Sequence, residues 1–241
     1  MAQLRLGFWQ RVAVMLVLPV MTVLTGKTWL HRERIPATGG VILVPNHVSH
    51  FDPLVVAHYL YRSGRWPRFL GKASVWKVPV IGFLLTKTRQ IPVERGSVEA
   101  VKSLDSLVEA LRQGGAVVIY PEGTTTKHPD LWPMRGKTGA ARLALLTGAP
   151  VVPIANWGAQ QIFDPRTNKL KLRRTHVTVT AGPPVDLSRW AGVEPSRRVL
   201  DEMTEAIMLD VRDLLGEIRD GEPPALYERP ARRASTSEDA S

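Results

Sequence analysis

Three short runs of apolar residues constrain the fold of this chain more than any other feature of its sequence. They cover residues 41–44, 116–120 and 150–154. Continuous apolar runs of this length are typical of strands that are buried on both faces of a parallel sheet. The sequence therefore predicts an α/β fold, in which a single domain contains a mostly parallel mixed sheet flanked by helices. Helical patterns are expected at residues 53–60, 97–113, 135–148 and 195–218.

The turn that follows the first apolar run carries two titratable residues, His47 and Asp52. On a regular helix, a five-residue step separates side chains by about 140°. The two side chains can therefore meet only if His47 lies in the turn and Asp52 begins the next helix. A histidine oriented by a carboxylate can act as a general base near neutral pH. Each residue also has a structural interpretation, since Asp52 precedes Pro53 and is a natural N-cap.

The charge balance indicates an anionic partner. The 241 residues include 32 Lys and Arg against 22 Asp and Glu, which gives a net charge of +10. Nucleic acid, a phosphate-bearing substrate and an anionic membrane surface would each satisfy that charge. No nucleic-acid recognition motif is visible, so we expect no nucleic-acid partner. The absence of cysteine excludes disulfides and thiol chemistry, which suits a cytosol-facing protein.

The N-terminal segment is apolar but short. Residues 12–24 form an apolar run of 13 residues that contains Pro19, whereas a spanning helix needs roughly 20. We therefore predict a monotopic or peripheral membrane anchor over residues 1–35, on the cytoplasmic face of the cell membrane. A buried helix of a soluble protein is the alternative. The residues expected near the lipid headgroups are Arg5, Trp9, Arg11, Lys27 and Trp29.

A second polar turn, with the sequence PEGTTT, follows the apolar run at residues 116–120. Its glycine lets the backbone approach a ligand, and successive turn amides can form a concavity that binds an anion. Parallel strands of one sheet would bring this turn beside His47. Residues 62–95 carry eight basic residues and one acid, which could form a solvated rim or a surface for anionic headgroups. Within that stretch, Lys72 and Arg95 end short apolar runs and are the candidates for function.

Four sequence blocks together resemble the glycerolipid acyltransferases of the lysophosphatidic acid acyltransferase type. The blocks are NHVSHFD at residues 46–52, QIPVER at 90–95, YPEGT at 120–124 and VVPI at 151–154. The resemblance covers roughly residues 41–185. It implies transfer of a fatty acyl group from acyl-CoA or acyl-carrier protein to the free hydroxyl of a lysophospholipid. The expected acceptor is 1-acylglycerol-3-phosphate, and the expected product is phosphatidic acid.

The resemblance also assigns roles to residues. It implies that His47 and Asp52 form the catalytic pair, and that no metal or cofactor is needed besides the acyl donor. The residues that it implies for binding the acceptor phosphate, with neighbours that we add to them, are Lys72, Arg95, Glu122, Gly123 and Thr124.

The chain departs from the family pattern in the third block. There the family continues with an arginine and a serine, whereas this chain has Thr125 and Thr126. The missing positive charge could come from Lys72, Arg135 or Lys137. The acceptor could instead be a glycolipid or another lysolipid.

Two further interpretations stay open on the sequence alone. His50 is the rival to His47 as the base, and a noncatalytic lipid-binding protein of the same fold is the alternative to an enzyme. Ser49 lacks the sequence of a nucleophile elbow, so we expect direct transfer without an acyl-enzyme.

The sequence also predicts an acyltransferase domain over residues 36–220, a pair of strands at 169–174 and 176–180, and a disordered tail at 221–241.

Overall fold

A computed structural model describes residues 4–93, 99–219 and 221–228. Within these residues, seven strands form one sheet in the order β1-β7-β6-β2-β5-β3-β4. Every neighbouring pair is parallel except β6 and β7. The predicted mostly parallel mixed sheet is therefore confirmed. The strands are β1 (Thr25–Leu30), β2 (Val41–Pro45), β3 (Pro67–Lys72), β4 (Ile91–Val93), β5 (Ala116–Val118), β6 (Val151–Trp157) and β7 (Thr175–Ala181).

Helices cover both faces of this sheet. The helices in the described residues are α1 (Phe8–Leu24), α2 (Asp52–Arg62), α3 (Pro79–Lys87), α4 (Glu99–Arg112), α5 (Gly139–Thr147) and α6 (Arg197–Gly216). Alternate residues of β2 point to opposite faces. Ile42 and Val44 belong to the core beneath α4, α5 and α6, whereas Val41 and Leu43 pack with α2 and with Met21 of α1. Burial on both faces explains why the central strands consist of continuous apolar residues.

The N-terminal segment differs from the prediction in its boundary. Residues 25–30, which the sequence placed within the anchor, form β1 and pair with β7 in the sheet. Helix α1 has 17 residues and contains Pro19. Across the described ranges, no helix has both the length and the apolar character needed to cross a bilayer.

Residues 62–93 are more structured than a basic surface. They contain β3 and α3, neither of which was predicted. In β3, Arg68 and Lys72 interrupt the apolar residues, whereas the only basic residue of α3 is its last, Lys87. Arg65 is 5% exposed, so it does not belong to a solvated rim. Its guanidinium donates hydrogen bonds to the carbonyl groups of Pro36, Gly39 and Gly114. It therefore ties together the loops that precede β2 and β5.

The predicted strand at residues 169–174 is wrong. Strand β7 already has β1 on one side and β6 on the other, so no edge of β7 is available for a hairpin partner. Among these six residues, Leu170 forms an isolated bridge with Phe163. The beginning of the predicted tail is also in contact with the domain, since Tyr227 accepts a hydrogen bond from the backbone of Arg135. Residues 229–241 lie outside the described residues.

Candidate active site

The turn between β2 and α2 brings His47 and Asp52 together. His47 Nδ1 lies 3.0 Å from Asp52 Oδ2. Asp52 is the first residue of α2 and Phe51 is its N-cap, so the expectation that Asp52 caps the helix is wrong. Its carboxylate instead accepts hydrogen bonds from the backbone N–H groups of Val48, at 2.6 Å, and Ser49, at 2.9 Å. The chain is thus wrapped around one carboxylate oxygen, and this closes the five-residue step.

Asp52 is fully buried, whereas the His47 side chain keeps 13% of its surface exposed. Burial raises the pKa of the Asp52 carboxyl, and the hydrogen bonds from His47 and from the two backbone amides oppose that rise. Because Nδ1 of His47 is occupied by Asp52, Nε2 is the ring nitrogen left for a ligand. The pair can therefore hold one histidine tautomer and accept a proton at Nε2.

Two asparagines hold the end of β2 against β6. The side chain of Asn46 accepts from the backbone N–H of Asn156 at 2.8 Å and donates to its carbonyl at 3.1 Å. In return, the Asn156 side chain donates to the Asn46 carbonyl at 2.9 Å. Both residues are fully buried. This clamp fixes the backbone one residue before His47. The sequence analysis did not assign Asn156, although a polar residue directly after the apolar part of β6 was a signal for it.

Glu122 connects the turn after β5 to the turn after β2. Its two carboxylate oxygens accept hydrogen bonds from the backbone N–H groups of His47, at 2.8 Å, and Met134, at 3.1 Å. Burial raises its pKa to about 8, since Glu122 is 4% exposed. The sequence analysis assigned Glu122 to a substrate phosphate. In this geometry the carboxylate is directed at the protein backbone, where it positions His47.

A large cleft, which we call the main cleft, begins at His47. Its volume is about 1340 Å³. Its polar and basic lining includes Lys72, Glu122, Gly123, Thr124 and Lys137, and we call this part of the wall the basic end. Apolar residues form most of the remaining wall, and they come from α1, α2, β3 and the segment leading into α3. The main cleft therefore combines a cationic end with a long apolar section, and His47 lines it as well.

The structure separates the candidate basic residues. Lys137 lies beside Gly123, since a Cβ atom at Gly123 would be 3.2 Å from the Lys137 Cε atom. Arg135 does not line the main cleft. It is 59% exposed in its side chain and forms ion pairs with Glu228, at 3.2 Å, and Glu205, at 3.9 Å. Arg95 lies outside the described residues.

Two aromatic residues contact the His47 ring. The Tyr120 ring centroid lies 4.4 Å away, and the Tyr120 hydroxyl is buried without a hydrogen-bond partner in the described part of the chain. Burial raises the pKa of Tyr120. The His50 ring is 6.1 Å from the His47 ring. Burial, followed by the proximity of His47, lowers the pKa of His50.

Across residues 4–93, 99–219 and 221–228, no cluster of side chains could hold a metal ion.

Comparison with known proteins identifies relatives of this chain. A family model described as Acyltransferase matches residues 28–157, which include all four sequence blocks. A chloroplastic 1-acyl-sn-glycerol-3-phosphate acyltransferase of Brassica napus is 33% identical over 133 residues, or 54% of this chain and 37% of that protein. The 1-acyl-sn-glycerol-3-phosphate acyltransferase of Bacillus subtilis is 26% identical over 198 residues, which cover 81% of this chain and 91% of that protein.

A solved structure shares the fold. The crystal structure of the LPA acyltransferase PlsC from Thermotoga maritima matches with a TM-score of 0.60 and 22% sequence identity, over 84% of this chain and 77% of that one. The coverage of the relatives is uneven. This chain spans 37% of the Brassica napus protein and 51% of a 1-acyl-sn-glycerol-3-phosphate acyltransferase from Borreliella burgdorferi.

We expect Glu122 to make the stability of the protein depend on pH. Its pKa is about 8 in the folded protein against an ordinary value of 4.5, so between these pH values the folded state binds more protons than the unfolded state. Its contribution to the free energy of unfolding therefore falls as the pH rises from about 4.5 to 8. Chemical denaturation at several pH values should show a shallower fall in Glu122→Gln than in the wild type.

The matched control is Glu194→Gln, because Glu194 is exposed. It should keep the wild-type dependence on pH. A Glu122→Gln variant whose dependence equals that of the wild type would show that the buried carboxyl does not titrate in this range.

Proposed function

The chain belongs to the Acyltransferase family, and on that basis we propose that it is an O-acyltransferase of the 1-acyl-sn-glycerol-3-phosphate type. It moves a fatty acyl group from acyl-CoA or acyl-carrier protein to the free hydroxyl of 1-acylglycerol-3-phosphate, which yields phosphatidic acid. The observation that carries this proposal is the His47–Asp52 pair, 3.0 Å apart, beside a cleft that is apolar along most of its wall and basic at one end.

In the proposed reaction, His47 acts as the general base. Nε2 removes the proton of the acceptor hydroxyl while the hydroxyl oxygen attacks the thioester carbonyl. The new C–O bond forms, the C–S bond breaks, and the thiolate that leaves recovers the proton from the imidazolium. Asp52 keeps the proton of the neutral ring on Nδ1 and stabilises the imidazolium as it develops.

The surroundings of Ser49 support direct transfer without an acyl-enzyme. Ser49 is fully buried. Its hydroxyl donates to the Phe163 carbonyl at 2.7 Å and accepts from the Phe51 N–H at 3.0 Å. A hydroxyl occupied in this way is not presented to a thioester. The two substrates must therefore lie together at His47, and we propose no cofactor beyond the acyl donor.

The acceptor phosphate is assigned to the basic end of the main cleft. Lys72 and Lys137 line that end together with Gly123 and Thr124. The resemblance to the family assigns a phosphate-binding role to Arg95 as well, which lies outside the described residues. Gly123 has a φ of +69°, a conformation in which glycine presents its backbone without a Cβ atom. The acyl chains are assigned to the apolar section. We expect Lys137, rather than Arg135, to supply the charge missing after Thr124.

We further propose that α1 and α3 bind the cytoplasmic face of a membrane as a monotopic surface. Both helices expose large apolar side chains, and Trp9 contacts Phe83 with ring centroids 4.8 Å apart. Leu18 of α1 and Leu85 of α3 also line the main cleft, so lipid substrates could reach it from this side. The exposed apolar residues of the proposed surface are Phe8, Met15, Leu16, Val20, Val23, Val80, Ile81 and Phe83.

The catalytic pair is tested by thiol release from acyl-CoA in the presence of lysophosphatidate. We expect His47→Ala to abolish turnover. Asp52→Asn keeps an oxygen that can accept the three hydrogen bonds but removes the charge, and we expect it to lower kcat by up to about 10⁴-fold. His50→Ala is the matched control and should retain turnover. Wild-type turnover in His47→Ala would exclude His47 as the base.

The acceptor site is tested by comparing Lys137→Ala with Arg135→Ala. A charge-assisted hydrogen bond contributes about 1.5–3 kcal/mol, so we expect Lys137→Ala to raise the KM for lysophosphatidate by about tenfold or more. Arg135→Ala should change it little. With monoacylglycerol, which lacks the phosphate, the two variants should behave alike. Equal losses on both acceptors in Lys137→Ala would argue against a role in phosphate binding.

The membrane surface is tested by co-sedimentation with vesicles that contain phosphatidylglycerol. Met15 and Val80 are 75% and 71% exposed, and we expect the double variant Met15→Glu/Val80→Glu to lose binding by at least tenfold. Leu170→Glu/Leu172→Glu changes two exposed leucines elsewhere and adds the same charge. If both double variants bind equally, α1 and α3 do not form the contact surface.

A further inference from the structure

A second, smaller cavity lies between α1, β1 and α2, and we call it the side cavity. Its volume is about 270 Å³. Three cationic residues line it, namely Lys27, Arg32 and Arg62. Trp29, His58 and Thr22 supply most of the remaining wall. The side cavity is separate from the polar end of the main cleft, although His58 and Leu18 line both spaces.

The side cavity has an imbalance of charge. No carboxylate lines it, and none of its three cations forms an ion pair within the described residues. The nearby Glu33 contacts His31 instead, at 3.3 Å. The Arg32 guanidinium donates a hydrogen bond to the backbone carbonyl of Arg62, and this bond holds the Arg32 side chain beside the end of α2. All three residues are exposed to solvent, and an anion bound among them would be attracted by their combined charge.

Two nitrogen atoms of this wall are buried and have no hydrogen-bond partner in the residues that the structure describes. They are Trp29 Nε1 and His58 Nδ1, and both atoms lie beneath the surface of the cavity rather than on it. Buried polar groups nearly always have a partner, and an indole N–H can only donate. The His58 side chain belongs to a residue that is 5% exposed, and its ring meets that of Trp29 edge-on at 5.4 Å. Donors without acceptors therefore accompany the cations.

The pKa of His58 is lowered by its surroundings in this site. Burial, followed by the proximity of Lys27 and Arg62, lowers its pKa to about 4. The ring is therefore neutral at pH 7, and in the tautomer that carries its proton on Nδ1 it donates a hydrogen bond without adding a charge. The side cavity thus combines permanent cations with neutral donors.

We propose that the side cavity binds a phosphate group. Arginine offers two parallel donors that match phosphate oxygens, and the side chains of Trp29 and His58 form the adjoining wall. At about 30 Å³ per water molecule, the volume holds roughly nine waters, which is room for a phosphate and a short polar substituent. The same chemistry is found in a soluble phosphate compound and in the headgroup of an anionic phospholipid. This site does not depend on the proposed catalytic activity.

Binding at this position would act on the packing of α1. Lys27 and Trp29 belong to β1, directly after α1, whereas His58 and Arg62 belong to α2. A phosphate that contacts both elements would hold them together and steady Leu18, which is shared with the main cleft. The occupied site would therefore stabilise one wall of the main cleft.

The first arm of the test uses inorganic phosphate and the full chain. The protein has seven tryptophans, and Trp29→Phe assigns the Trp29 indole signal in a ¹H–¹⁵N spectrum. We expect phosphate to move that signal in a saturable way and to raise the thermal unfolding temperature. Both effects should be lost in Lys27→Gln/Arg62→Gln. They should persist in the control Lys169→Gln/Lys171→Gln, which loses the same charge at exposed positions.

The unfolding temperature without phosphate shows whether the variant folds. Because Lys27 and Arg62 are exposed and form no ion pair within the described residues, we expect Lys27→Gln/Arg62→Gln to unfold near the temperature of the wild type. The second arm measures binding to vesicles of phosphatidylglycerol and of phosphatidylcholine. A larger loss on phosphatidylglycerol in this variant than in the control identifies a lipid headgroup, and equal binding together with the phosphate effects identifies a soluble phosphate. If phosphate leaves Trp29 unmoved and both variants bind vesicles equally, the proposal is overturned.

Discussion

One oxygen atom of Asp52 organises the site. Oδ2 accepts hydrogen bonds from the His47 ring and from the N–H groups of Val48 and Ser49, in a place with no solvent exposure. A buried carboxylate is costly unless hydrogen bonds compensate it. The donors to Oδ2 all come from the turn that it closes, whereas Oδ1 is buried without a partner among the described residues. The hydrogen bonds that compensate the burial of Oδ2 are therefore the same ones that hold the turn and orient the histidine ring. Displacing the carboxylate would release the turn and the ring together.

The sheet carries this constraint into the rest of the domain. The Asn46–Asn156 clamp joins the end of β2 to β6, and Glu122 joins the turn after β5 to the backbone of His47. Both β5 and β6 are parallel neighbours of β2, so their carboxyl ends lie side by side. Polar groups at those ends can therefore act on two adjacent residues, Asn46 and His47, from which they are separated by 110 and 75 positions along the chain. The rigidity of His47 thus derives from the most buried part of the sheet.

The sequence predicted the parts of the fold in which local pattern and tertiary environment agree. Central strands β2, β5 and β6 are buried on both faces, so their residues are apolar except for Asn156 near the end of β6. Strands β1 and β3 are partly exposed and contain Lys27 and Arg68, which obscured them. The error at residues 169–174 arose because the pairing of β7 with β1 is nonlocal. At the site, the spacing of His47 and Asp52 allowed their contact on the condition that Asp52 begins the next helix, which is the arrangement observed. The partners of Glu122 and the separation of Arg135 from Lys137 depend on loops that only the folded chain brings together.

The basic residues that give the protein its net charge lie in different surroundings, and these determine which of them can bind an anion. The Arg65 guanidinium donates hydrogen bonds to backbone carbonyl groups, and Arg135 forms an ion pair with Glu228. Lys72 and Lys137 line a cleft whose wall is mostly apolar, and a low-dielectric wall strengthens the attraction between a cation and a phosphate. A ligand that satisfies this cleft needs an anionic end and a long apolar end, with its reactive group near His47. A lysophospholipid has that order of groups, which is why the distribution of charge, rather than its sum, favours a lipid substrate.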